Sequence, residues 1–177
     1  MVINTLRASD WLLVAALITS AVTDIRVGRI YNAVTYPAIV AGLAAAAMGM
    51  GPSLVSALLG SLVGGLALYA LFTLRWMGGG DVKLMAVAGA CLGCPAILHA
   101  LFYSIFAGGV CAAIILIWRG QSRPAVQDLS VAVGRLSGLN ALSLSAIPAR
   151  GGAFPFGVAI AVGTIATIVL ERLGMAP

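Results

Sequence analysis

Residues 53–74 read SLVSALLGSLVGGLALYALFTL, an uninterrupted stretch without a single charge. A helix rising 1.5 Å per residue would cover about 33 Å over that length, enough to cross a hydrocarbon core of about 30 Å. The rest of the chain has the same character: 62% of its residues are hydrophobic and only 8% are charged, well outside the range of soluble domains. Working outward from 53–74, further apolar runs occupy residues 10–23, 33–50, 82–93, 96–118 and 153–170. The sequence therefore predicts an all-α fold, a polytopic membrane helix bundle with about six transmembrane helices. The runs 10–23 and 82–93 are short for the purpose. Arg7 followed by an apolar run has the outline of a secretory leader, but Asp10 stands where such a leader is basic, so the run is read as the first span. No linker of altered composition divides the chain, and residues 1–177 are read as a single transmembrane domain.

The net charge of +5 comes from ten basic residues scattered between apolar runs. They form no stripe with interleaved aromatics, which argues against nucleic acid as a partner. Their distribution sets topology instead. If the connections after the first, third and fifth spans share one side, that side holds Arg26, Arg29, Arg75, Lys83, Arg119, Arg123, Arg135 and Arg150, leaving Arg7 and Arg172 opposite. The positive-inside bias makes the first side cytoplasmic. Gly51-Pro52 and Cys94-Pro95 are tight uncharged turns on the outer side. The long connection 119–152 repeats Leu129, Val133, Leu136 and Asn140 at helical spacing. It is readable either as a helix lying on the inner leaflet or as a partly ordered loop.

Only five residues are acidic. Asp10, Asp128 and Glu171 fall at span ends or in the long connection and read as solvated or interfacial charges. Asp24 and Asp81 each stand at the edge of a short span. From Asp10 to Asp24, and from Asp81 to Pro95, a helix covers about 21 Å, which places both carboxylates below the cytoplasmic surface at one level. Acids at membrane depth line wet cavities or have partners, and two close carboxylates do not both ionise cheaply. A shared proton suits an aspartic peptidase, whose ionised member activates water while the protonated one binds the peptide carbonyl. A plainer reading also stands: the two acids mark span ends, with Arg26 and Lys83 as ordinary inside-positive flanks. Gly78, Gly79 and Gly80, directly before Asp81, leave room for an extended peptide to approach it.

Gly78-Gly79-Gly80-Asp81 resembles the GxGD motif of intramembrane aspartic peptidases, and Asp81-Val82-Lys83-Leu84 resembles the type IV prepilin peptidase version of it. Asp24, Arg26, Arg29, Ile30 and Asn32 are similar to that family's first aspartate segment, D-x-R-x-x-x-I-x-N, and Pro155-Phe156-Gly157 to its Pro-x-Gly element. The resemblance implies that Asp24 and Asp81 are catalytic and that Gly78, Gly79, Gly80, Lys83, Pro155 and Gly157 bind substrate or shape the site. The implied substrate is a prepilin, meaning a leader peptide and the hydrophobic helix behind it, cleaved at the cytoplasmic face of a bacterial inner membrane and within membrane lipid. Long members of the family carry paired CxxC motifs associated with a methyltransferase activity. Here Cys91-Leu92-Gly93-Cys94 is a single pair at an apolar span end, so neither metal, cofactor nor methyl transfer is expected, as in the short forms found with Flp/Tad-type pili. His99, near the outer end of its span, is read as interfacial. Two alternatives remain: a GxGD peptidase acting on pseudopilins or preflagellins, and a small proton-coupled transporter using the same two acids.

Overall fold

The computed structural model describes residues 6–73, 77–118 and 156–174, with side chains as far as 114 in the second stretch. The positions Arg75, Arg119, Arg123, Asp128, Arg135, Arg150 and Pro155, and the amphipathic pattern in 119–152, lie outside the described residues. Among those described there are six helices and no strand: α1 (Ala8–Val27), α2 (Asn32–Ala47), α3 (Leu54–Thr73), α4 (Gly79–Leu92), α5 (Ala96–Trp118) and α6 (Phe156–Arg172). By length and composition α1, α3 and α5 are able to cross a membrane unaided, while α2 is a shorter apolar helix.

α3 shows how such a sequence packs. It buries only Ala57, Gly60, Gly64 and Leu68, one stripe of mainly small residues, and turns Leu54, Val55, Leu58, Leu59, Leu62 and Leu66 outward. In lipid the large apolar groups gain nothing by hiding, so small residues make the interfaces and let backbones approach. Gly60 and Gly64 lie against α4, where a Cβ on Gly60 would come within 2.5 Å of the Gly89 carbonyl oxygen and one on Gly64 within 2.7 Å of that of Met85. Any larger residue at either glycine would push α4 away.

α4 is the centre of the bundle, in contact with all five other helices. Leu84, Met85, Val87 and Ala88 on it are fully buried, and they join Leu13 and Leu17 of α1, Ile97 of α5 and Ile160 of α6 in one core. At the α4–α5 turn Gly93 takes a positive φ of 76°, and Ser56 Oγ donates to the Cys94 carbonyl (2.8 Å) and accepts from the Cys94 N–H (2.9 Å). α4 is thereby held at both its glycine crossing and its far end.

The first span is not short: α1 runs 20 residues, from Ala8 to Val27, about 30 Å. Asp24 therefore does not cap it but stands inside its last turn. The reason is Gly28, whose φ of 66° ends the helix in the left-handed conformation and whose N–H closes on the Asp24 carbonyl at 2.8 Å. α4, at 14 residues, is short as expected.

Asp10, far from being solvated, is 1% exposed. Its Oδ2 accepts the Arg7 backbone N–H at 2.9 Å and two guanidinium N–H groups of Arg172, at 2.6 and 3.0 Å. The start of α1 and the end of α6 are thus clamped together, and the cation sits favourably at a helix C-terminus.

Candidate active site

α1 and α6 run antiparallel, so the end of α1 carrying Asp24 meets the beginning of α6. Asp24 is three residues before the end of α1, and Asp81 is the third residue of α4. Each is therefore less than about 5 Å of helix rise from the same end of the bundle. Both carboxylates are largely buried, Asp24 at 9% and Asp81 at 7% exposure. They line one cavity of about 230 Å³, together with Gly28, Arg29, Ile30, Gly78, Gly79 and Gly80.

Each carboxylate is aimed by a backbone N–H. Asp24 Oδ2 accepts from Gly157 at 2.8 Å, and Asp81 Oδ2 accepts from Gly78 at 3.1 Å. The first bond comes from the second residue of α6, where the positive end of the helix faces an acid. The second is the acid reaching back from the third helical position to the cap residue of its own helix. Among the described residues neither remaining Oδ1 accepts a protein hydrogen bond. One oxygen of each acid is thus held by a backbone N–H.

The glycines are required by distance. A Cβ on Gly157 would come within 2.8 Å of Asp24 Oδ2, and one on Gly80 within 2.7 Å of Ile30 Cβ. A Cβ on Gly78 would stand 3.3 Å from Asp81 Oδ2. Gly79 is less constrained, with only the Phe72 ring at 3.4 Å. Ile30 emerges as a wedge: its Cβ packs at Gly80 and its Cδ1 lies 3.1 Å from where a Gly157 Cβ would be. It lies between the backbones of α4 and α6 beside the two acids.

Lys83 does not face the cavity. Its Nζ donates to Asn32 Oδ1 at 2.8 Å and lies 4.7 Å from the centre of the Tyr36 ring. Arg29 stands exposed at the cavity rim, and Arg26 is exposed in the last turn of α1. The structure thus brings Asp24, Asp81, Gly78, Gly79, Gly80 and Gly157 together and places Lys83 behind them. His99 is at the far end, its Nδ1 3.9 Å from Glu171 Oε1. Of the CxxC pair, Cys91 is buried against Gly42 and Cys94 is exposed.

Sequence reasoning missed two parts of this site. Gly28 carries the cap that turns the chain behind Asp24, and a glycine four residues after an acid in the last turn was the available signal. The packing of Ile30 between Gly80 and Gly157 had no signal within a single segment, because its partners come from two distant helices.

Two curated relatives, each named prepilin leader peptidase/N-methyltransferase and coming from Burkholderia pseudomallei strains 1026b and K96243, are 31% identical to this chain over 118 residues. The shared stretch is 63% of this chain and 38% of each relative, so the chain matches well under half of their length. No solved structure matches it significantly. The model of the type IV leader peptidase family matches residues 11–113, a stretch that holds Asp24, Asn32, the glycine run, Asp81 and Lys83, whereas Gly157 joins them through the fold. With more than half of its residues under that match, the chain belongs to the type IV leader peptidase family.

Proposed function

We propose that this protein is an intramembrane aspartic endopeptidase that removes the leader peptide from a prepilin of the Flp type. The family supports a prepilin substrate, and one observation carries the mechanism: two buried carboxylates line a single cavity, each with one oxygen tied to a glycine N–H and the other unbonded among the described residues.

In the proposed reaction one proton is shared between Asp24 and Asp81. The ionised member removes a proton from a water molecule as its oxygen attacks the scissile carbonyl carbon, while the protonated member donates a hydrogen bond to the carbonyl oxygen. The tetrahedral intermediate then collapses. The C–N bond breaks, the leaving amine takes a proton from the acid that gained one, and the pair returns to its starting charge. The N–H groups of Gly157 and Gly78 keep the carboxylates oriented through both steps. Gly78, Gly79 and Gly80 offer the peptide a wall without side chains, and Pro155 is assigned a site-shaping role on the sequence resemblance. The peptide enters in extended form with its hydrophobic helix in lipid, at the cytoplasmic face of the inner membrane. No methyl transfer is assigned to these residues.

The test is leader cleavage in proteoliposomes with Asp24→Asn and Asp81→Asn, insertion of each variant being verified. General acid–base groups contribute about 10²- to 10⁴-fold each. Either substitution is expected to lower cleavage by at least about 10²-fold, and the double variant to be little worse than the poorer single, since the acids act as a unit. Normal cleavage by either single variant refutes the pair. Cleavage of a pseudopilin but not of a Flp-type pilin keeps the chemistry and replaces the substrate.

A further inference from the structure

Lys83 follows Asp81 by two residues on α4, a rotation of about 200° around the helix axis. It therefore points away from the carboxylates, toward α2, and its contacts are specific: a 2.8 Å hydrogen bond to Asn32 Oδ1 and a position 4.7 Å from the Tyr36 ring centre. Asn32 is the first residue of α2, and Tyr36 is one turn further along the same helix. One ammonium group thus holds the first turn of α2 against α4. The charge finds an acceptor and an aromatic face at once, as cations at such partly covered positions favour.

What that turn controls lies immediately before it. Only Gly28, Arg29, Ile30 and Tyr31 separate the end of α1 from Asn32. Within this link Gly28 closes on the Asp24 carbonyl, and Ile30 is wedged between Gly80 and Gly157, the latter being the residue whose N–H orients Asp24. The link therefore has two anchors: Asp24 on one side and the Lys83 contact with α2 on the other. Release of the second anchor would free Ile30, and with it the spacing between α4, which carries Asp81, and the start of α6, whose Gly157 N–H orients Asp24.

We infer that Lys83, Asn32 and Tyr36 form a clasp that makes Lys83 a positioning residue: it sets the separation of Asp24 and Asp81 through Ile30, without touching substrate. The inference rests on the catalytic reading of the two aspartates, and it differs from two simpler roles for Lys83. As an inside-positive topology charge it would affect how much protein inserts correctly and would be indifferent to Asn32. As a substrate-binding cation it would act on KM. A clasp acts on kcat, since displacing a reacting group by about 1 Å costs about 10²-fold in rate.

The experiment combines two readouts on Lys83→Met, Asn32→Ala and the double variant, each purified in inserted form. The first is leader cleavage. Each single substitution is expected to lower kcat by about 10- to 100-fold with KM within about twofold of the wild type, and the double variant to match the worse single. The second readout is hydrogen exchange of the backbone amides of residues 28–34, which needs no activity. Exchange there should rise in both single variants while that of α3 stays unchanged. Independent, multiplying effects of the two substitutions, a loss carried by KM, or unchanged exchange in 28–34 would each overturn the clasp. If wild-type protein cleaves no prepilin but exchange responds as described, the clasp stands and the catalytic reading falls.

Discussion

α1 carries a buried aspartate near each end, and both reach across to α6, yet they are met differently. Asp10 faces the last turn of α6 and finds the Arg172 guanidinium, with two N–H groups on one oxygen. Asp24 faces the first turn of α6 and, among the described residues, finds only the Gly157 backbone N–H. One acid is neutralised by a full opposite charge and sealed at 1% exposure, while the other is oriented by a dipole and opens on a cavity that it shares with a second acid. A charge in a membrane protein is stabilised best by a paired counter-ion. Among the described residues Asp24 has no counter-ion, and on the proposed reading this separates a structural ion pair at one end of the bundle from the reacting acids at the other.

The largest effect expected from breaking this contrast comes from making the same change at both ends. Asp24→Asn should abolish cleavage while leaving the thermal unfolding midpoint of the purified protein close to that of the wild type. Asp10→Asn should do the reverse. It leaves the Arg172 charge without its partner in a mostly buried site, which costs about 3–5 kcal/mol, while the cleavage rate per folded molecule stays near normal. A combined Asp10→Asn and Arg172→Gln variant should recover part of that loss, because the orphaned charge is removed. Paired midpoints and rates for the four proteins decide it. An inactive but stable Asp10→Asn protein would show that the ends are not separable.

Much of this contrast was legible in the sequence, and its missing parts have physical causes. The apolar runs announce six helices because a spanning helix must be apolar along its whole length, and the glycines before Asp81 announce a backbone open to close approach. The scarcity of acids isolates Asp24 and Asp81 at once. Asp10 was misread because its counter-ion, Arg172, is 162 residues away and next to Glu171, which offered a local partner that the fold does not use. The length of α1 is not legible from Asp24, which reads as a boundary, although a membrane helix tolerates an acid in its last turn when a neighbouring helix end faces it. Neither Lys83 with Asn32 nor Ile30 with Gly157 is visible along the chain, since each contact joins segments far apart in sequence.

A smaller effect, about 10²-fold in rate, is expected from Gly157→Ala. The added Cβ would stand 2.8 Å from Asp24 Oδ2 and 3.1 Å from Ile30 Cδ1, so either the carboxylate or the wedge must move. kcat should fall and the unfolding midpoint should change little, since the clash is at the open end. Gly28→Ala acts at the same end by another route, placing a side chain where φ is 66°, at a cost of about 1–2 kcal/mol. Its loss should appear in both stability and rate, because the cap holds the helix and the acid together. A Gly157→Ala protein with wild-type kcat would mean that the N–H of α6 does not aim Asp24.

The smallest effect belongs to the sealed end. His99 Nδ1 and Glu171 Oε1 are 3.9 Å apart, with about a quarter of each side chain exposed, and no hydrogen bond joins them. Pairs of that kind contribute about 0–1 kcal/mol. His99→Gln should therefore shift the unfolding midpoint by no more than about a tenth to a third of the shift seen with Asp10→Asn, and cleavage should be unaffected. The comparison is informative because both pairs join α6 to another helix at the same end and differ mainly in burial and geometry. If His99→Gln destabilises as much as Asp10→Asn, the end is held by a coupled network, and the separation between one buried ion pair and one open acid pair would have to be redrawn to include His99 and Glu171.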